Sequence, residues 1–268
     1  MINKGKINFL LLLISIMFFA GCIGSSGHQL LKQAENFEQQ KKFKEALLTY
    51  FKLIKTNDKE SILAANKAAR VAHYELSDFN KAIIALDFIL INSKDDEQRL
   101  KAQNHKANIY FSGLNDYSRS IEELSKLMLI TSDQHEKNEI KFKIAKAYYY
   151  LNNFQQSLIE LNGLLKSVNK DEDIFEILYF KGSVLMTVKK MEEAIDIFKM
   201  LLEKYPEKSK KENVKLSLIV CLEEKEKFSE AIALLETLRG EEDQKNFVDL
   251  RIKRLQKRIE NMPKGKVR

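Results

Sequence analysis

The sequence predicts an all-α chain, a helical-repeat solenoid of about six helix pairs plus a C-terminal capping helix, and three observations predict it. The 268 residues include 2 prolines and 9 glycines and are 44% hydrophobic and 31% charged, a mixture rich in side chains that lose little freedom in a helix. A short motif, an aromatic or Met followed three residues later by Ala or Ser, recurs six times at nearly constant spacing. After each copy, the apolar residues fall at helical intervals on one face.

Taken in order, residues 1–21 read as a cleaved secretory leader. Lys4 and Lys6 supply positive charge, Ile7 to Phe19 form an apolar run broken by Asn8 and Ser15, and Ala20 and Gly21 are small. That run is shorter than the roughly 20 residues a spanning helix needs, so removal is expected rather than a membrane anchor. The segment Phe19-Ala20-Gly21-Cys22 resembles the bacterial lipobox, in which the cysteine receives a lipid before cleavage; the resemblance implies lipidation of Cys22. Residues 22–27 then form a short linker of flexible composition, reaching less than about 20 Å when extended. Asp after the cysteine favours inner-membrane retention in lipoproteins of the enterobacterial type, so Ile23 points to the outer membrane.

The repeats are expected over residues 28–240. The motif copies are Phe43 to Ala46, Phe79 to Ala82, Tyr117 to Ser120, Phe154 to Ser157, Met191 to Ala194 and Phe228 to Ala231, and the small residue recurs at intervals of 36, 38, 37, 37 and 37. Four residues later stand Tyr50, Leu86, Leu124, Leu161, Phe198 and Leu235, and three later again Leu53, Ile89, Leu127, Leu164, Leu201 and Leu238. Another helix is expected before each of these, with Phe37, Tyr74, Phe111, Tyr148, Leu185 and Leu222 at matching offsets. Each unit is therefore a pair. Ser77-Asp78, Asn115-Asp116 and Asn152-Asn153 supply stopping and capping chemistry inside the pairs. Polar stretches such as Asn92 to Asp95 and Val168 to Asp171 connect one pair to the next. The recurring small residue lets paired helices approach closely, and stacking gives pairs a core that none could bury alone.

This pattern resembles the tetratricopeptide repeat, over about residues 28 to 240. The fifth unit carries it most clearly, with Gly182, Met191, Ala194, Phe198 and Tyr205-Pro206. The sequence departs from the pattern in its longer period and in Arg70, Asn108 and Ile219, which stand where a small residue is usual. The resemblance implies a right-handed solenoid whose first helices line a concave groove. Carried over residue by residue, the groove positions are Lys67, Val71 and Tyr74; His105 and Ile109; Phe142, Lys146 and Tyr149; Tyr179, Ser183 and Met186. Each of these could instead complete the core between repeats.

Residues 241–268 are expected to hold the capping helix, with Phe247, Leu250, Leu255 and Ile259 among its apolar positions, and a basic tail. The formal charge is +7, and removal of Lys4 and Lys6 leaves +5. The excess gathers at Arg251, Lys253, Arg254, Lys257, Arg258, Lys264, Lys266 and Arg268, which read either as contact with an anionic surface or as a solvated helix face. Cys221, inside an amphipathic helix, reads as core.

No catalytic constellation, cofactor motif or metal-ligand spacing is present. The four histidines, His28, His73, His105 and His135, fall in different units, and there is no phosphate loop or nucleophile elbow. Neither an enzyme, a cofactor, a metal site nor a small-molecule substrate is expected, and the leader argues against nucleic acid as partner. A lipidated array of such repeats is similar to the outer-membrane assembly lipoproteins, among them BamD and CpoB, and to the pilotins. The resemblance implies a scaffold on the periplasmic face of the outer membrane that binds an envelope protein or peptide segment. Secretin assembly and activation of peptidoglycan enzymes are the alternative roles.

Overall fold

The structure, a computed structural model, describes residues 27–239 and 245–262, and every regular element among them is helical. The expected leader, Cys22 and the linker up to residue 26 lie outside the described residues, as do the tail residues Lys264, Lys266 and Arg268. None of the described helices is long and apolar enough to cross a membrane.

The helices fall into two compact bodies divided between residues 130 and 131. The first holds three pairs: α1 (Gly27–Gln39) with α2 (Phe43–Thr56), α3 (Ser61–Arg70) with α4 (Phe79–Asn92), and α5 (Asp96–Asn108) with α6 (Tyr117–Ile130). The second holds α7 (Gln134–Tyr150) with α8 (Phe154–Leu165), α9 (Asp171–Thr187) with α10 (Met191–Lys204), and a sixth pair in which α11 (Pro206–Lys211) and α12 (Val214–Glu224) together precede α13 (Phe228–Glu236). Helix α14 (Lys245–Glu260) follows as the cap. The fold is thus the expected all-helical repeat solenoid, with six pairs and one further helix.

Each pair turns in the same way, and the turn explains the period. Lys41, Ser77, Asn115, Asn152, Lys189 and Glu226 all take left-handed φ between 51° and 61°, and each lies five residues before the recurring small residue. The next residue's N–H reaches back to the closing turn of the first helix: Lys42 to the Phe37 carbonyl at 2.8 Å, Asn153 to Tyr148 at 2.9 Å, Lys190 to Leu185 at 2.9 Å, Lys227 to Leu222 at 2.8 Å. This is the Schellman closure of a helix C-terminus. Where a short polar side chain follows, it also caps the second helix. Asp78 accepts from the Lys81 N–H at 3.1 Å, Asp116 from Arg119 at 3.0 Å and Asn153 from Gln156 at 3.3 Å.

Two first helices depart from this plan and correct the alignment. After α3 and after α5 the chain winds one wider π turn, Val71–Glu75 and Ile109–Gly113, so that Asp78 N–H reaches the Ala72 carbonyl and Asp116 N–H reaches Tyr110, one residue further back than in the other pairs. The extra residue shifts the register by one. Arg70 and Asn108 therefore do not occupy the close-packing position; buried Ala69 and Ala107 do, and the Ser120 hydroxyl donates to the Ala107 carbonyl at 3.2 Å. The small residue expected from the repeat is present in both pairs.

Tyr50, Leu53, Leu86 and Ile89 are fully buried in the first body, and Leu161, Leu164, Leu185, Phe198 and Leu201 in the second, on the faces the periodicity predicts. Cys221 is buried as expected, and burial pushes its thiol up to about 11. On α14 the buried residues are Val248, Ile252 and Leu255. Phe247 and Leu250, expected among its apolar positions, are exposed, because they lie about 105° and about 165° around the helix from that face.

Candidate partner-binding cleft

The first helices of successive pairs lie side by side within each body, so residues about 37 apart come together. In the second body this brings α7, α9 and α11 around a cleft of about 290 Å³ lined by Phe142, Lys146, Phe175, Glu176, Tyr179, Phe180, Lys208, Lys211 and Glu212. Three of the expected groove residues, Phe142, Lys146 and Tyr179, line it, and Tyr149 borders it through Phe180. The Phe142 and Phe180 rings meet edge to face with centroids 5.8 Å apart, and Tyr149 meets Phe180 at 5.4 Å. Such pairs fix ring orientation beyond the area they bury.

Two of the three lysines lining the cleft lie over aromatic rings. Lys146 Nζ stands 4.1 Å above the centre of Phe142 and 5.9 Å from Phe180, and Lys208 Nζ lies 5.7 Å from the centre of Phe175. Burial holds the Lys146 ammonium below its ordinary pKa, with the Glu176 carboxylate pulling the other way; Lys143 is lowered by burial and by the neighbouring Lys146 charge. Tyr179 donates its hydroxyl to the Glu212 carbonyl at 3.0 Å, tying α9 to the end of α11. A wall of rings with ammonium groups laid across it matches an extended protein segment that carries apolar side chains and an occasional carboxylate.

The remaining expected residues divide. Ser183 donates to the Tyr179 carbonyl one turn back at 3.1 Å, which spends its hydrogen on its own helix, and Met186 packs against the hydrophobic core. In the first body, Lys67 pairs with Glu35 at 3.2 Å across α3 and α1. Val71 and Ile109 are completely buried and are core rather than groove, because the π turns rotate them inward. Tyr74 is 67% exposed and stacks on His105 with centroids 5.7 Å apart.

Sequence reasoning missed three things. His73 Nδ1 lies 2.7 Å from His105 Nε2, a hydrogen bond between neighbouring repeats that a search for local histidine spacing could not find. No group of three or more metal-ligating side chains forms among the described residues. Phe180 and Phe175 flank Tyr179 on α9, where the aromatic density of the segment Phe175 to Phe180 was the available signal. Lys208, Lys211 and Glu212 belong to the short helix opened by Pro206, a break the repeat pattern did not announce. A larger cleft of about 520 Å³, lined by Leu202, Pro206, Leu216 and Leu234 among others, contains none of the expected residues and no aromatic ring.

Comparison with known proteins agrees with the repeat fold. A tetratricopeptide-repeat family profile matches residues 177–208, the unit in which the pattern is clearest. No curated protein sequence matches the chain. Among solved structures, YrrB, described as a tetratricopeptide-repeat protein with an unusual peptide-binding site, is 16% identical and superposes with a TM-score of 0.52 over 76% of this chain and 97% of its own. A MamA protein is 15% identical, with a TM-score of 0.51 over 70% and 96%. The Naa15/Naa10 complex bound to HypK-THB gives 16% identity and a TM-score of 0.64, covering 87% of this chain but only 34% of that one. In its fold, this chain is a tetratricopeptide-type helical-repeat protein.

Proposed function

We propose that this chain is a lipid-anchored scaffold of the cell envelope, held through Cys22 at the periplasmic face of the outer membrane, which grips a segment of an envelope protein in the cleft of its second body. The observation that carries the reading is the cleft itself: Phe142, Phe180, Tyr149 and Tyr179 gathered from α7 and α9, with Lys146 lying on the Phe142 ring at 4.1 Å. Half-exposed aromatic anchors that a partner can bury, flanked by oriented cations, are what binding energy and register for a peptide require. The peptide-binding site ascribed to YrrB supports the use of this fold for such a role. The anchor and address rest on Lys4, Lys6, the apolar run and Phe19-Ala20-Gly21-Cys22.

A photoreactive residue at Tyr149 or Tyr179 in cells tests partner and cleft together. The expected result is a discrete adduct with an envelope protein, lost when Lys146 and Phe180 are replaced by Ala. Recovery of no envelope protein above control, or an unacylated and unprocessed amino terminus in the soluble fraction by intact mass, overturns the reading.

A further inference from the structure

We infer that the outward face of α14 is a docking surface for an anionic lipid bilayer. The helix divides sharply. Val248, Ile252 and Leu255 are buried, with Ile259 packed beside them, and they hold the helix on the second body. Two of its basic residues are also structural: Arg251 pairs with Glu223 at 2.7 Å, and the Arg258 guanidinium lies 4.5 Å above the Phe228 ring.

The opposite face is built otherwise. Phe247 is 49% and Leu250 63% exposed, and Arg254 and Lys257 continue the same stripe one and two turns on, with Lys253 beside them, all three exposed. Positions 247, 250, 254 and 257 fall within about 80° of one another around the helix, from about 105° at Phe247 to about 175° at Lys257 away from the buried face. The helix itself carries two acidic residues: Asp249 is engaged by Arg239 at 2.8 Å, and Glu260 is its last residue.

Phe247, its ring 5.6 Å from the Arg251 guanidinium, and Leu250 form an apolar edge beside a row of cations. They suit the boundary of an anionic bilayer, where the apolar pair enters the acyl margin and the cations meet headgroup phosphates. An acidic protein would meet the cations but leave no reason for Phe247 and Leu250 at the same edge. The inference does not depend on the peptide cleft.

The test uses the full chain in a Cys22→Ser background with an environment-sensitive fluorophore at Asn246→Cys, which borders the face. Buried Cys221, with its thiol pushed up to about 11, stays unlabelled at neutral pH. The probes are vesicles of phosphatidylcholine alone or with about one third phosphatidylglycerol. A blue shift on the anionic vesicles, reversed by salt, is expected. It should be lost in Phe247→Ser/Leu250→Ser, and in Arg254→Glu/Lys257→Glu partitioning of the face should fall by at least about 30-fold, since each cation near such a surface is worth about fivefold. All four substituted residues are exposed, and unchanged circular dichroism confirms the fold. Equal response on neutral vesicles, no response on anionic ones, an equal shift from a label at Glu203 on α10, or the same shift produced by polyglutamate without lipid each overturns the inference.

Discussion

Gly182 and Phe198 fit only as a pair: a Cβ added to Gly182 would stand 2.6 Å from the Phe198 ring, well inside any ordinary carbon contact. Gly182 is on α9 and Phe198 on α10, so their contact sets how closely the fifth pair can close. Gly182→Ala should therefore destabilise the chain by about 1–3 kcal/mol through overpacking, despite the better helix propensity of alanine. Thermal or urea unfolding measures it. Phe198→Leu in the same chain should recover part of the loss, and a double-mutant cycle showing purely additive costs would contradict the pairing.

The repeat was legible because the features that make it are local. A left-handed turn residue, a following cap and a small residue five positions on all lie within one short segment, so Ser77-Asp78-Phe79 to Ala82 could be read without knowing what packs on it. The π turns were not legible. They leave the spacing of the second helix intact and move only the residues before the turn, which is why Arg70 and Asn108 looked like departures while Ala69 and Ala107 carried the contact. The same shift buried Val71 and Ile109. In the cleft, Phe142, Lys146 and Tyr179 came from a repeat rule and converged, whereas Lys208 and Glu212 depend on a helix break at Asn213, whose left-handed φ of 54° no periodicity encodes.

The turn residues make a second prediction. Lys41 holds φ 58° with no side-chain cap from Lys42 after it, a conformation in which an ordinary side chain crowds its own carbonyl. Lys41→Gly should raise stability by about 0.5–1 kcal/mol, after the larger unfolded-state entropy of glycine is counted. Asn152, also left-handed, is a residue type that tolerates the region, and Asn152→Gly should be nearly neutral. Equal gains at both sites in urea unfolding would show that the Lys41 backbone stores no such cost.

A buried carboxylate gives the third. Glu123 on α6 accepts from Gln103 Nε2 at 2.6 Å and from Lys126 at 2.9 Å, and lies 3.4 Å from Lys106, which also binds Asp87 at 2.6 Å. Burial would raise the Glu123 pKa, but these partners outweigh it and hold the carboxyl below its usual range. Glu123→Ala should cost about 2–4 kcal/mol, because it leaves buried Gln103 and partly buried Lys106 without their shared acceptor. Glu123→Gln keeps an oxygen there and should cost about half as much. Hydrogen exchange of α5 and α6 should report the loss locally, and a surface-like cost below about 0.5 kcal/mol would show that the network is dispensable.

The histidine pair sets a pH dependence. His73 and His105 share one hydrogen bond at 2.7 Å, which requires one ring nitrogen bare and the other protonated, so both rings cannot be cationic without breaking it. Burial lowers His73, and burial together with the His73 charge brings His105 down to about 4, against an unfolded value of about 6.5. Between those values the unfolded chain binds more protons than the folded one, so stability rises with pH and is lost as pH falls from about 6.5 toward 4. Allowing for the partial exposure of both rings, the loss should be about 1–2 kcal/mol. Carboxylates also titrate in this range, so the informative quantity is a difference. His105→Gln can still hydrogen-bond His73 but cannot be charged, and its own loss between pH 7 and 4.5 should be smaller than that of the parent chain by about 1 kcal/mol. Identical losses in the two chains would mean that the pair does not titrate as a unit. Because Tyr74 stacks on His105 at 5.7 Å, the same protonation should also release that ring, read as a change in Tyr74 fluorescence or ring chemical shift over the same interval.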